Sequence, residues 1–186
     1  MNSKPQEDNI SKSSDEPLTS LSQLVEKLNG SPTKEFVSIA RNVDLVTSDV
    51  SDFATWSTKK YTRNCIEIND RFELILLCWE PGQKTPIHDH GGEECWVYFV
   101  NSEFEEIIYE KVGSALREKT TLAVVPGSVT FMSDFIGVHS LHNTGGQRGF
   151  SVHLYAKPIT SCNIFNVDSA KFELIEMKYD TQIELI

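Results

Sequence analysis

The hydrophobic pattern of this chain changes character once, near residue 60, dividing it into a short helical part and a longer strand-rich part. In the first part Leu21, Leu24, Val25 and Leu28 recur at the i, i+3, i+4, i+7 spacing of one helical face. Ser20 with Gln23 resembles a capping box, and Asn29-Gly30 supplies the stop. A second helix is expected from Ser31-Pro32, a cap followed by proline at the first helical position, burying Phe36, Ile39, Ala40 and Val43. A third, shorter helix is expected around residues 50–59, capped by Asp49 or Ser51.

From Tyr61 onward, apolar or alternating runs bounded by turn residues take over: 61–67, 71–79, 86–90, 95–100, 104–110, 121–126, 128–133, 138–142, 148–155 and 172–178. Glu80-Pro81-Gly82-Gln83, Gly91-Gly92, Pro126-Gly127 and Thr144-Gly145-Gly146-Gln147 read as turns. Parallel strands need crossover helices, and no run of helical period follows residue 60, so the sheet is expected to be antiparallel and closed into a barrel or jelly roll. The expected fold class is mainly β with two or three N-terminal helices.

Length fits this into one domain: 186 residues divide into a tail at 1–17, rich in Ser, Asp, Glu, Lys and Pro and read as disordered, and a single domain at 18–186. Residues 18–60 form its helical part and 61–186 its barrel. The net charge of −10 argues against nucleic acid or an anionic membrane surface as partner, and a small molecule fits better. Nothing reads as a membrane span, and the start has no apolar segment of a secretory leader, so the cytoplasm is the expected compartment. Cys65, Cys78, Cys95 and Cys162 are then expected as free thiols, the first two as core residues.

Chemistry concentrates in the second part, where all five histidines lie between residues 88 and 153. On a strand, His88 and His90 look the same way and can grip one ion together. His139 and His142, three apart, point to opposite faces, so they are alternatives for a third ligand; if His139 serves, His142 belongs at the surface. The run 150–156 carries a polar stripe of Ser151, His153 and Tyr155 and an apolar stripe of Val152, Leu154 and Ala156. Alternation alone would put the polar stripe in water, yet three tips suited to a chain of donors and acceptors point to a barrel with both faces buried.

His88-Asp89-His90, Cys95, His139 with Asn143, and Ser151-Val152-His153-Leu154-Tyr155 together resemble the cupin barrel of the thiol dioxygenases, and among them the cysteine dioxygenases. The resemblance covers roughly residues 20–180 and extends to Tyr61-Thr62-Arg63-Asn64 and Leu76-Leu77-Cys78-Trp79. It implies a cupin-type catalytic domain in which His88, His90 and His139 hold Fe(II) and the usual cupin carboxylate is replaced by Cys95, with Glu94 left as a non-ligand. The pattern's closing glycine falls at Ser102, after Asn101, a departure of loop geometry.

The resemblance further implies that L-cysteine and O2 are the substrates and that Arg63, supported by Tyr61, grips the substrate carboxylate. Tyr155 is implied to face the reacting atoms, oriented by His153 and Ser151, and able to form a thioether with Cys95. Trp79 is expected to wall the pocket or fill core, and Cys162 to lie in a loop near the pocket mouth. A monomer is implied. Enzymes of this group that act on 3-mercaptopropionate look to have glutamine at the place of Arg63, so arginine favours cysteine. Another small thiol, or metal binding without catalysis, are the alternative readings.

Overall fold

The computed structural model describes residues 16–113 and 115–182, so the expected tail at 1–17 lies outside the described residues except for Glu16 and Pro17. Helix α1 (Leu21–Gly30) starts where the Ser20 hydroxyl accepts from the Gln23 amide at 3.2 Å. The Gln23 side chain reaches back to the Thr19 amide, one residue before the cap. At the other end, Arg71 donates to the carbonyl oxygens of Leu28, Asn29 and Ser31, so a side chain from the sheet satisfies the carbonyls that a helix leaves open.

The second helix begins one turn later than the Ser31-Pro32 signal suggests. Residues 33–35 form a 3₁₀ turn, and α2 (Phe36–Arg41) buries Phe36, Ile39 and Ala40 while Val43 is only partly covered. The third helix differs most from expectation. It is a single turn, α3 (Thr47–Val50), followed by a 3₁₀ turn at 51–53, and the chain is extended by Ala54. Asp49 lies inside this turn, not in front of it, and its carboxylate accepts from the amide of Val46, the residue at the cap, at 2.7 Å; the apolar period needed to prolong the helix is missing.

Among the described residues ten strands follow in antiparallel pairings: β1 (Thr62–Ile68), β2 (Glu73–Trp79), β3 (Cys95–Asn101), β4 (Phe104–Val112), β5 (Ala115–Val124), β6 (Val129–Met132), β7 (Val138–Asn143), β8 (Gly149–Tyr155), β9 (Ser161–Asn166) and β10 (Lys171–Glu176). The short β11 (Thr181–Gln182) pairs with β1 in parallel, an exception to the antiparallel expectation. One sheet runs β11-β1-β2-β8-β3-β6, a second β5-β4-β7, and β9 pairs with β10. Residues 86–90 do not make the expected strand. They form isolated bridges, His88 to His139 of β7 and His88 to Ile164 of β9, and so stitch β9-β10 onto the second sheet.

Both faces of the six-stranded sheet are covered. Leu74, Leu76, Cys78, Trp96, Tyr98, Phe150, Val152 and Leu154 pack against the helices. Ile75, Leu77, Trp79, Cys95, Val97, Phe99 and Tyr155 face Phe104, Val124 and Leu141 of the second sheet across the barrel. All seven residues of β2 and of β8 are therefore buried, and the polar stripe of β8 lies inside the barrel. The strand β5 has the opposite character: it is an edge, charged through Arg117, Glu118 and Lys119, and almost wholly exposed.

Phe36 is fully buried, in edge-to-face contact with Phe72, and ties the helical layer to the sheet. Phe36→Ala is expected to destabilise the protein by about 3–5 kcal/mol, because the site has little freedom to collapse. Urea unfolding monitored by tryptophan fluorescence measures this; a loss below ~1 kcal/mol would mean that the helices contribute little to the core.

Candidate metal centre and its pocket

The centre begins with a backbone pairing. His88 and His139 exchange N–H···O bonds of 2.9 and 3.0 Å, which sets the two rings side by side. Their ring centroids are 4.7 Å apart, and His90 stands 5.5 and 4.7 Å from them. One ligand atom from each of the three lies within 4.8 Å of the others.

Two aspartates fix the approach to this cluster. Asp89, on the opposite side of the segment, accepts from the Asn163 amide and side chain on β9 and from the Gly91 amide. Asp134 accepts from the amides of His90 and Gly92 at 2.8 and 2.7 Å. Gly91 has φ +62°, and an added Cβ would meet the Ser161 carbonyl oxygen at 2.7 Å, so the turn requires glycine.

Each ring is oriented differently. His88 donates from Nδ1 to the Pro86 carbonyl at 3.0 Å. His139 gives its Nδ1–H to the Glu106 carboxylate at 2.6 Å, and both side chains are sealed from water. Those bonds leave Nε2 of the two rings for a cation. The Nδ1 of His90 is buried without a hydrogen-bond partner. Burial, followed by the neighbouring histidines, holds His90 and His139 well below the usual imidazole range, and burial also lowers His88. Burial raises Glu106 to about 7. Three neutral imidazoles are the form that binds metal.

The pocket walls follow from register. Tyr155 pairs with Glu73 on one side and Cys95 on the other; Ser151 pairs with Leu77 and Phe99. The Trp79 indole donates to the Ser151 hydroxyl at 2.9 Å, and that hydroxyl lies 2.9 Å from His153 Nε2. Trp79 is thus both core and anchor, with Tyr61 stacked on it at 4.7 Å. Burial pushes both the Cys95 thiol and the Tyr155 phenol far up, so both are neutral, and Tyr155 is a hydrogen-bond partner of that thiol. Arg63, 7% exposed, leaves Nε and Nη2 without acceptors, 3.8 Å from Glu73.

The arrangement brings together the histidines at 88, 90 and 139, and lines the interior with Arg63, Trp79, Cys95, Ser151, His153 and Tyr155. His142 stands apart, half-buried on the other face of β7 and bridged to Lys84. Glu94 is exposed and lies outside the cluster. Cys162 is on strand β9, not in a loop, because it pairs with Ile175 of β10; its thiol meets Met177 Sδ at 3.3 Å. Glu106, Glu73, Asp134 and Tyr179 escaped sequence reasoning. Only Glu106 carried a signal, an acid sharing the inward parity of Phe104, and its neighbour Glu105 obscured it.

A profile of the family described as cysteine dioxygenase type I matches residues 9–168. The chain belongs to that family. The cysteine dioxygenase type 1 of Danio rerio is 26% identical over 137 residues, covering 70% of this chain and 68% of the relative. The Homo sapiens protein of the same name is 24% identical over 135 residues, with the same coverage. Among solved structures, a Klebsiella pneumoniae protein with a double-stranded β-helix domain has TM-score 0.48 and 17% identity, over 57% of this chain and 80% of that one. A Thermus thermophilus protein has TM-score 0.47 and 20% identity, over 59% and 96%.

Membership in the cysteine dioxygenase family makes this chain a thiol dioxygenase, a metalloenzyme that combines a small-molecule thiol with O2. The donor set fits a metal: neutral imidazoles, two of them fixed through Nδ1, converge on one point. Among the described residues no helix is long and apolar enough to cross a membrane.

Because Glu106 holds the ring of His139, Glu106→Ala should lower metal affinity by roughly 10–100-fold. Competition with a chelator, read by metal analysis, measures it. Affinity equal to wild type would mean that the ring is held by packing alone.

Proposed function

We propose that this chain oxidises L-cysteine with O2 to cysteine sulfinic acid, using Fe(II) held by His88, His90 and His139. The observation that carries the reading is Arg63, a buried guanidinium whose Nε and Nη2 have no acceptor, facing the same barrel interior as the three histidines. A buried charge with unused donors is unfavourable unless a ligand answers it, and a carboxylate matches the fork of a guanidinium. That favours a thiol bearing a carboxylate over cysteamine.

The bound Fe(II) would supply a centre that gathers the cysteine thiolate, its amine and O2 and lowers the thiol's pKa. In the net reaction both oxygen atoms end on sulfur, RS⁻ + O2 → RSO2⁻, so no external reductant is needed. Arg63 orients the substrate by its carboxylate, with Tyr61 behind it. Tyr155, kept neutral by burial, donates a hydrogen bond toward the reacting thiol and oxygen. The Trp79–Ser151–His153 chain fixes the β8 stripe on which Tyr155 stands. Cys95 and Tyr155, neighbours across two strands, form a thioether when O2 accepts the two hydrogens lost from thiol and ring. Cys162 is buried, with its thiol against Met177 Sδ. The enzyme acts as a cytoplasmic monomer with no nucleic-acid or membrane partner, a reading supported by the acidic charge and the family.

Anaerobic loading with Fe(II), followed by L-cysteine and oxygen, should give one sulfinate per O2 consumed, read by an oxygen electrode and mass spectrometry. Uptake with another thiol alone would change the substrate, and no uptake with any thiol would sink the dioxygenase reading. His139→Ala should lose iron while His142→Ala retains it; equal retention would overturn the ligand set. Arg63→Ala should raise KM for L-cysteine by about 10–100-fold, the loss of a charge-assisted pair, and leave cysteamine unaffected.

A further inference from the structure

Glu73 is fully buried beside Arg63, and nothing in the reaction described above uses it. It opens β2 opposite Tyr155, on the barrel side of the sheet. Its Oε1 accepts from the Tyr179 hydroxyl and its Oε2 from the Ile159 amide at 3.1 Å. Arg63 Nη2 lies 3.8 Å from Oε1, too far for a hydrogen bond and close enough for charge to matter. The Tyr179 ring stands 6.0 Å from the guanidinium carbon. The two donors that hold Glu73 therefore keep its carboxylate near the charge of Arg63 and off the donors of Arg63.

We propose that Glu73 sets specificity and grip at the substrate end of the pocket: it balances the buried charge of Arg63 while leaving the guanidinium open, and so limits how tightly a thiol's carboxylate is held. The proposal rests on the reading that Arg63 receives that carboxylate. A bound carboxylate lies near two charges of opposite sign, and its net attraction is smaller than toward Arg63 alone. The product keeps the same carboxylate, so a moderated grip favours its release. Tyr179 is the positioning partner. Without its hydroxyl, Oε1 is free to turn to the open donors of Arg63 and compete with substrate.

The two variants thus have opposite expected signs. In anaerobic equilibrium titrations of the Fe(II)-loaded protein, Glu73→Gln should bind L-cysteine roughly three- to tenfold more tightly, and Tyr179→Phe should bind it more weakly by about the same factor. Cysteamine, which has no carboxylate, should bind both variants as it binds wild type. A packing defect would weaken both variants and both thiols together. Shifts of one sign, or no shift, overturn the proposal. Tyr179→Phe retains Glu73 itself and decides the matter alone if Glu73→Gln does not fold: weaker binding of L-cysteine with unchanged cysteamine supports the proposal, and any other result overturns it. Arg63→Ala, titrated in parallel, separates the failures. If it leaves L-cysteine affinity unchanged, the Arg63 reading falls and the Glu73 proposal with it. If it weakens L-cysteine while the other variants do not diverge, only the Glu73 proposal falls.

Discussion

Two reciprocal backbone hydrogen bonds between His88 and His139 are the constraint on which the rest of the centre depends. They join the irregular segment before the Gly91-Gly92 turn to β7, and the same segment passes its other side to β9 through the amides of Asp89 and Phe165. Because side chains alternate along a strand, a slip of one residue would turn His139 outward and bring Ser140 in. The register is secured away from the histidines as well, by Thr85 to Leu141 and Asn143 to Gln83. Geometry at the rings is thus inherited from main-chain pairing, and Glu106 and Pro86 only refine it.

Helix α1 and the extended β1–β2–β8–β3 core were legible because their signals are local. Ser20, Gln23 and the Leu21/Leu24/Leu28 spacing specify α1 within ten residues. Residues 50–59 were not legible in the same way: polar positions interrupt the period, and tertiary packing of Val50 takes the place of a longer helix. Strand β9 escaped because Ser161–Asn166 is half polar and is joined on one side to the irregular segment at 86–90. Strand β5 shows in the sequence only from residue 121, because its exposed, charged first half carries no alternation.

The candidate site divides along the same line. His88, His90, His139, Cys95 and the β8 stripe lie in short motifs that stand out in the sequence, although alternation alone chose neither between His139 and His142 nor the inward face of β8, and 86–90 is not a strand. Glu73 and Tyr179 are distant in sequence, and each looks ordinary on its own strand or loop. Their proximity arises only when residues 177–180 fold back over β1, with the Asp180 carboxylate accepting from the Arg63 amide and the Asp180 amide donating to the Arg63 carbonyl. Charge compensation inside a barrel is a long-range property, so parity and propensity cannot reveal it.

That fold-back divides the cavity between two stretches of chain. The hydrogen bonds that set the three histidines come from residues 86–165. Those that hold Glu73 and the Arg63 backbone draw on Tyr179 and Asp180. The imidazole cluster and the arginine end therefore hang on different segments: loosening 177–182 would take the phenol from Glu73 and both Asp180 bonds from β1 without breaking any bond named for the cluster.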